Sequence, residues 1–458
     1  MRPILWVCAL ALPLGAQTLL LEDVLRSVEA NYPPLLATLL EREVAGGAAL
    51  QAQGQFDTQL GATVGADQFG FYPNQRLDLG VSQNLRWQGA SVYGGWRLGT
   101  GDFPPYRGLE DTRNLGEWRT GIKVPLLRGR EIDERRAALA QTELGQRIAD
   151  LTVDQQRLLV RQMAANRFWD WSAAGRRLSI AQDLLRVAQE RDQALRESAA
   201  AGAIAQVEVT ENQRQILQRE AQIVEAQRGV QQTAIALSLF YRDGAGLPRL
   251  AQNSQLPRAL PVTELLDEAQ VTDDLGRALA KRPEIASVAA QRQQTRIDID
   301  VAANQTRPSL DLGVAVSAEG GAGAVKRGPN EVKATLTFQV PWQRRAAEGK
   351  LQQATAKHRQ LTQREQFARD QVTAEVRDAA SAVRAGHART LLAAREVIVA
   401  LDLADAERER FRLGDSTLFV VNLREQAAVD AELRQVAANL DYLRALAFYE
   451  QATARLLP

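Results

Sequence analysis

The sequence predicts a mixed architecture, very long α-helical hairpins joined to the strands of a membrane β-barrel, with the whole unit present twice in one chain. Three observations predict it. Landmark residues recur in the same order in both halves, strand-like segments alternate with period two, and two stretches of about 65–70 residues run without proline.

The duplication comes first, because a repeated unit dictates an architecture. Pro33 and Leu60 match Pro283 and Leu310 at an offset of 250. Pro125 of Val124-Pro125-Leu126 matches Pro341 of Val340-Pro341-Trp342 at 216, and Gly202 matches Gly414 at 212. Each half reads as short helix, strand region, Val-Pro, very long helix, glycine turn, long helix. The expected organisation is a signal peptide over 1–16, a first repeat over 17–242, a connector over 243–262 carrying Pro248, Pro257 and Pro261, and a second repeat over 263–458.

Composition narrows the class. The chain has 458 residues and a formal net charge of +1, with Arg and Asp/Glu interspersed along the helical stretches. That pattern is a solvated helix surface, and it excludes the basic stripe of a nucleic-acid binder. Arg2, the apolar run Ile4 to Leu14 and the small pair Gly15-Ala16 form a secretory signal. Cys8, the only cysteine, lies inside it, so the mature chain has no disulfide and no Cys-based metal or redox site. No later apolar run is long enough for a transmembrane helix, so membrane insertion would require a closed barrel.

Four segments alternate. Leu60, Ala62, Val64 and Ala66 interleave with Gly61, Thr63, Gly65 and Asp67; Trp118, Thr120, Ile122 and Val124 with Glu117, Arg119, Gly121 and Lys123. Leu310, Leu312, Val314 and Val316 interleave with Asp311, Gly313, Ala315 and Ser317; Val332, Ala334, Leu336, Phe338 and Val340 with Lys333, Thr335, Thr337 and Gln339. Each is about the length of a tilted membrane strand, roughly 9–11 residues. A soluble hairpin with one face on a core alternates in the same way; the export signal and the lack of core partners favour the membrane. The first strand region is longer than the second by 34 residues and holds two further alternating stretches, Leu77 to Leu85 and Val92 to Leu98, joined at Gln88-Gly89. They form an extra hairpin that either joins the barrel wall or projects from it. Trp87, Trp96, Trp118 and Trp342 fall in the strand regions and suit aromatic girdles or ordinary hairpin packing. Glu319-Gly320-Gly321-Ala322-Gly323-Ala324 precedes a strand and matches no phosphate-binding spacing, so it reads as a hairpin tip.

Glu131 to Ala201 and Gly349 to Leu413 are free of proline. Helices of this length carry a seam that must pack on neighbours. Leu144, Ile148, Leu151 and Leu158, then Leu178, Ala181, Leu185 and Ala188, supply it with 4-3 spacing. The helices turn at Gly202 and Gly414 and return over Gln206 to about Tyr241 and Leu418 to about Leu456.

These features resemble the TolC-like outer membrane efflux proteins, over essentially the whole mature length. The resemblance is carried by Arg282-Pro283-Glu284-Ile285, Arg307-Pro308-Ser309-Leu310, the two Val-Pro motifs, and Phe411-Arg412-Leu413-Gly414 with Val421 seven residues on, as Val209 follows Gly202. It implies a homotrimer in the outer membrane of a Gram-negative bacterium, extending into the periplasm. Each copy would give four strands to a shared twelve-stranded barrel in outer-membrane lipid and its helices to a periplasmic tunnel. Such proteins are passive exit ducts of tripartite efflux pumps or type I secretion systems, for small molecules or polypeptides. Their partners are a periplasmic adaptor and an inner membrane transporter. Members often carry acidic residues six and nine positions past the second tip glycine; here Val420 and Leu423 stand there, and Glu208 and Glu211 take the matching places in the first hairpin. The expected charged constriction is therefore Glu208 and Glu211, although carboxylates at a helix start also suit the dipole. Gly202 and Ala203, with Gly414 and Asp415, are the expected adaptor-docking tips, or simple glycine helix stops.

The sequence carries no nucleophile elbow, P-loop, zinc-binding pair or dinucleotide fingerprint. His358 and His387 stand 29 residues apart in one long helix, which is no metal spacing. The chain therefore reads as a non-enzyme without cofactor. Its rivals are a soluble periplasmic coiled-coil scaffold without channel activity and an exported hydrolase.

Overall fold

The computed structural model describes residues 18–104, 110–323 and 330–455. The expected signal peptide with Cys8, and Ala324 of the glycine-rich tip, lie outside the described residues. Helices α1 (Leu21–Asn31), α2 (Pro33–Leu39) and α3 (Glu41–Gly54) precede strands β1 (Gln59–Asp67), β2 (Asn74–Asn84), β3 (Ser91–Gly101) and β4 (Glu117–Pro125). Helices α4 (Glu134–Ala200) and α5 (Gln206–Ser238) follow. The second half runs α6 (Glu268–Lys281), α7 (Pro283–Gln305), β5 (Ser309–Glu319), β6 (Asn330–Gln339), α8 (Arg345–Arg412) and α9 (Leu418–Ala452).

Local chemistry explains the boundaries. Pro33 and Pro283 open α2 and α7, where a fixed φ suits a helix start and the missing N–H costs no bond. Helix α4 starts three residues later than the proline-free stretch because Asp133 caps it: its carboxylate accepts the N–H groups of Arg135 and Arg136 at 2.9 and 3.0 Å. Helices α4 and α8 have 67 and 68 residues, about 100 Å each at 1.5 Å per residue. Both stop at a left-handed glycine, Gly202 at φ 76° and Gly414 at φ 82°. Beyond each, Ala203 donates to the Ser198 carbonyl and Asp415 to that of Arg410, both at 2.9 Å, the six-to-one bond of a Schellman stop.

The chain forms two compact units, each drawn from both halves of the sequence. One comprises Met1–Leu39, Val153–Pro283 and Arg369–Pro458; the other comprises Leu40–Thr152 and Glu284–Ala368. The first is helical. Val24 and Val28 of α1 pack with Phe168 and Trp171 of α4 and with Val230 and Leu237 of α5. Ala173 and Ile180 of α4 pack on Val436 and Leu440 of α9. Burying a side chain of this size contributes about 1.5–3 kcal/mol. Of the expected seam, Leu158, Leu178 and Ala188 are buried, and Leu144, Ile148, Leu151, Ala181 and Leu185 are half-buried.

The second unit holds one antiparallel sheet with strand order β1-β2-β3-β4-β5-β6. The resemblance implies four strands per chain; the sheet has six. The extra hairpin is β2–β3, and it lies inside the sheet: β1 pairs with β2 from Gln59↔Ser82 to Asp67↔Asn74, while β4, paired with β5 on one side, meets β3 on the other, from Ser91↔Lys123 to Arg97↔Glu117. Beyond the last ladder pair, Asn84↔Ser91, the connection turns at Gln88 and Gly89, both with positive φ, 47° and 68°.

The register runs two continuous faces across all six strands. Leu60↔Val81, Leu79↔Trp96, Trp96↔Trp118, Val124↔Leu312 and Leu312↔Leu336 are same-face pairs and apolar throughout. Thr63↔Asp78, Asp78↔Arg97, Arg97↔Glu117 and Ser317↔Glu331 mark the opposite, polar face. The apolar face is uncovered: Leu60 is 85% exposed, Val332 76% and Trp118 64%. Trp118 stands near the loop end of β4, whereas Trp87 in the β2–β3 turn and Trp342 after β6 stand at the other end of the sheet.

Candidate functional site

Both glycine tips belong to the helical unit. Gly202, Ala203, Gly414 and Asp415, the expected docking residues, are all exposed. Asp415 is bound to Arg410 at 3.1 Å. Beneath the turns, Leu195 and Val209 of the first hairpin pack with Leu418 of the second, joined by Ile204 and Phe411. Val209 and Val421, each seven residues past its glycine, are both buried. Around this core Val207, Leu413, Phe419 and Leu423 are exposed, an apolar collar on otherwise polar helix ends.

The expected aperture residues lie in the first turns of the returning helices. Glu208 and Glu211 are half-buried and three residues apart, on one face of α5. The N-cap of α5, Ala205, makes no side-chain cap bond, so Glu208 is the anionic group nearest the α5 amino end. Glu211 accepts from Arg214 at 2.7 Å and from Gln215 at 3.2 Å. The Arg214 hydrogen bond holds its carboxyl below the usual range. Val420 is half-buried and Leu423 exposed; Thr417 caps α9 by accepting the Val420 N–H.

Sequence reasoning missed the most connected charge near the tips. Glu425 of α9 is 1% exposed and binds Arg191 of α4 at 2.7 Å, Arg219 of α5 at 3.0 Å and Arg408 of α8 at 3.1 Å. One carboxylate thus ties four helices. Burial pushes the Glu425 carboxyl up, but Arg191 and Arg219 outweigh it and hold the group below its ordinary value. Burial also pulls the Arg219 guanidinium down, opposed by Glu425. Arg219 gives a further bond to the Leu184 carbonyl at 3.0 Å, and Asn212 donates to Asp192 at 3.1 Å. The signal was spacing: Leu418, Val421, Glu425 and Ala428 follow the 3-4 rhythm of a buried face.

On the polar face of the sheet, charges pair along and across strands. Asp78 binds Arg76 at 2.9 Å and Arg119 at 2.8 Å, Arg97 binds Glu117 at 2.5 Å, and Lys123 binds Asp311 at 3.0 Å. The two histidines rest on threonine hydroxyls, His358 on Thr295 at 3.1 Å and His387 on Thr263 at 3.0 Å. Among the described residues no helix is long and apolar enough to cross a membrane.

A sheet with one polar face, one uncovered apolar face and helical hairpins following its strands defines the fold class, that of the TolC-like outer-membrane channels. Within that class, residues 110–240 match the model of the outer membrane efflux protein family. Solved structures agree over nearly the whole chain. The outer membrane protein VceC of Vibrio cholerae is 16% identical with a TM-score of 0.66, over 94% of this chain and 95% of that one. The open-state MtrE channel of Neisseria gonorrhoeae is 15% identical with a TM-score of 0.67, over 94% and 88%. The CmeC channel of Campylobacter jejuni is 14% identical with a TM-score of 0.64, over 94% and 85%. No curated protein matches the sequence.

Proposed function

We propose that this chain is the outer-membrane exit duct of a tripartite efflux pump or type I secretion system, acting as a homotrimer. The uncovered apolar face of the sheet carries the reading. Water would leave Leu60, Val64, Val332, Leu336 and Phe338 exposed, whereas lipid removes that cost. Strands of 9–11 residues, tilted as in membrane barrels, match an apolar band about 25 Å tall. Tryptophans toward both ends of the sheet suit the two interfaces. The polar face then lines a wet bore whose charges are largely paired, so that it passes solutes without strong selection by charge. A duct of this kind does no chemistry on its cargo.

In this reading the two repeats, 17–242 and 263–458 joined by the connector 243–262, present their tips to the periplasm. Glu208 and Glu211, with Val420 and Leu423, surround the aperture. Gly202, Ala203, Gly414 and Asp415 meet a periplasmic adaptor that in turn contacts an inner membrane transporter. The exposed Val207, Leu413 and Phe419 give that contact its apolar part.

The test is membrane fractionation followed by planar-bilayer recording of the purified protein. Retention in the outer membrane through carbonate and high-salt washes, a three-copy mass in detergent and discrete channel conductance are expected. Release by the washes as a water-soluble monomer without pore activity would overturn the proposal.

A further inference from the structure

We infer that the assembled wall has eighteen strands rather than twelve, because β2 and β3 are wall strands. The inference rests on the three-copy duct reading and deepens it.

Three observations place the hairpin in the wall. First, β1 and β4, which would be neighbours in a four-stranded contribution, are separated by two fully paired strands. Second, the hairpin carries the two faces of the sheet without interruption. Leu77, Leu79 and Val81 continue the apolar face from Val64, Ala62 and Leu60, and Val92 and Trp96 hand it on to Ile122 and Trp118. Asp78 and Arg97 continue the polar face. A projecting hairpin would need no such match, since a one-residue slip would reverse every side chain. Third, its turn is seated on the rest of the unit. Ala90 is fully buried, and a Cβ at Gly89 would run into the Gly129 carbonyl oxygen and approach Pro125 Cγ to 3.3 Å.

The edges of the sheet are β1 and β6. In lipid an unpaired edge is untenable, and six strands are too few to close on themselves. The occupant of each edge is a second copy of this chain. Six antiparallel strands leave β6 running opposite to β1, so β6 of one copy meets β1 of the next in the antiparallel sense. The internal duplication supplies the register. The offsets map β4 onto β6 and β5 onto β1, so the in-chain pair Ile122↔Val314 becomes Phe338 of one copy opposite Val64 of the next. Val124↔Leu312 likewise becomes Val340 opposite Ala62. Both intercopy pairs keep apolar side chains together.

Size follows. With strands ~4.8 Å apart and tilted ~40°, eighteen strands close at a backbone diameter of ~36 Å, against ~24 Å for twelve. The bore has about twice the cross-section, in the range of water-filled porins.

The test is single-particle imaging of the full chain, purified from outer membranes into lipid nanodiscs, with cross-linking of the Val64→Cys/Phe338→Cys variant by a short bismaleimide. A three-copy ring with an eighteen-stranded wall near 36 Å, and cross-links that link copies up to the trimer, are expected. A variant lacking residues 74–101 should narrow the ring by about one third. A three-copy ring with a twelve-stranded wall and β2–β3 outside it, or a deletion variant that keeps the full diameter, overturns the inference and leaves the duct reading standing. A copy number other than three, or particles outside the bilayer, overturns both.

Discussion

Arg119 of β4 donates to Asp78 of β2 at 2.8 Å, reaching past the whole of the intervening strand β3. The reach is possible because the register partner of Arg119 on β3 is Gly95, which has no side chain in the way. A Cβ at Gly95 would come within 2.5 Å of the Leu79 carbonyl oxygen, so the glycine also permits the close approach of β2. Asp78 takes a second cation from its own strand, Arg76, which in turn holds Glu110 at 3.0 Å. The inserted hairpin is thus bonded to its neighbours through the backbone ladder and tied again by charge on the polar face.

Asp78→Ala should therefore cost more than Arg119→Ala. Loss of Asp78 takes a carboxylate from both Arg119 and Arg76, which keeps Glu110, whereas loss of Arg119 leaves the Asp78–Arg76 pair intact. We expect about 1 kcal/mol for Asp78→Ala and less for Arg119→Ala, typical of partly exposed networks. The readout is the temperature at which the detergent-solubilised oligomer dissociates on a semi-native gel. Equal shifts for the two variants would show that the bond across β3 carries the whole effect.

Two left-handed glycines should respond differently to alanine. Gly202 at the tip has positive φ but nothing within 4 Å of an added Cβ, so Gly202→Ala should cost only the backbone penalty, about 1–2 kcal/mol. Gly89 has positive φ and meets the Gly129 carbonyl and Pro125 as well, which adds about 1–3 kcal/mol of overpacking. Denaturant unfolding of the purified protein should rank Gly89→Ala below Gly202→Ala in stability.

The contrast between these sites shows what a sequence can disclose. Pro33, Pro283, Gly202 and Gly414 were legible because each acts locally, on a helix start or stop. The period-two runs of β2 and β3 were legible for the same reason. Their place between β1 and β4 was not, since alternation names the face a residue takes and is silent on the neighbouring strand. The strand number implied by the resemblance covers β1, β4, β5 and β6; only long-range pairing adds the other two. Glu425 was hidden more deeply. In sequence it follows Arg424 and looks like one more solvated helix charge, and its partners Arg191 and Arg219 lie more than two hundred residues away. Only helix packing assembles them.

The two aperture carboxylates should contribute unequally to ion selectivity. Glu211 is already bound to Arg214, whose charge cancels most of its field, while Glu208 sits at the start of α5 without a capping side chain beside it. Glu208→Gln should lower the cation preference of the channel more than Glu211→Gln, measured as reversal potential in a salt gradient across a planar bilayer. Unchanged selectivity in the double variant would remove both residues from the constriction and leave them as helix-start carboxylates.

The Glu425 cluster should make the tips acid-sensitive. Its carboxyl titrates below the ordinary value of 4.5, so folding depresses the pKa and the charged form is the stabilised one. The sign follows from linkage: the stabilisation is complete above the unfolded value and is lost as pH falls through the lower folded value. Protonation there leaves Arg191, Arg219 and Arg408 facing one another around a neutral group. Glu425→Gln imposes the same state at every pH, and breaking a buried ion pair by removing one partner costs about 3–5 kcal/mol. Hydrogen exchange at pH 7 should therefore rise in Glu425→Gln at the ends of α4, α5, α8 and α9 nearest the cluster. The wild-type protein should show the same rise only once pH has fallen past the ordinary value of 4.5 and through the lower folded value. If those helix ends stay equally protected in the variant and in the wild-type protein at pH 7, Glu425 does not hold the four helices together.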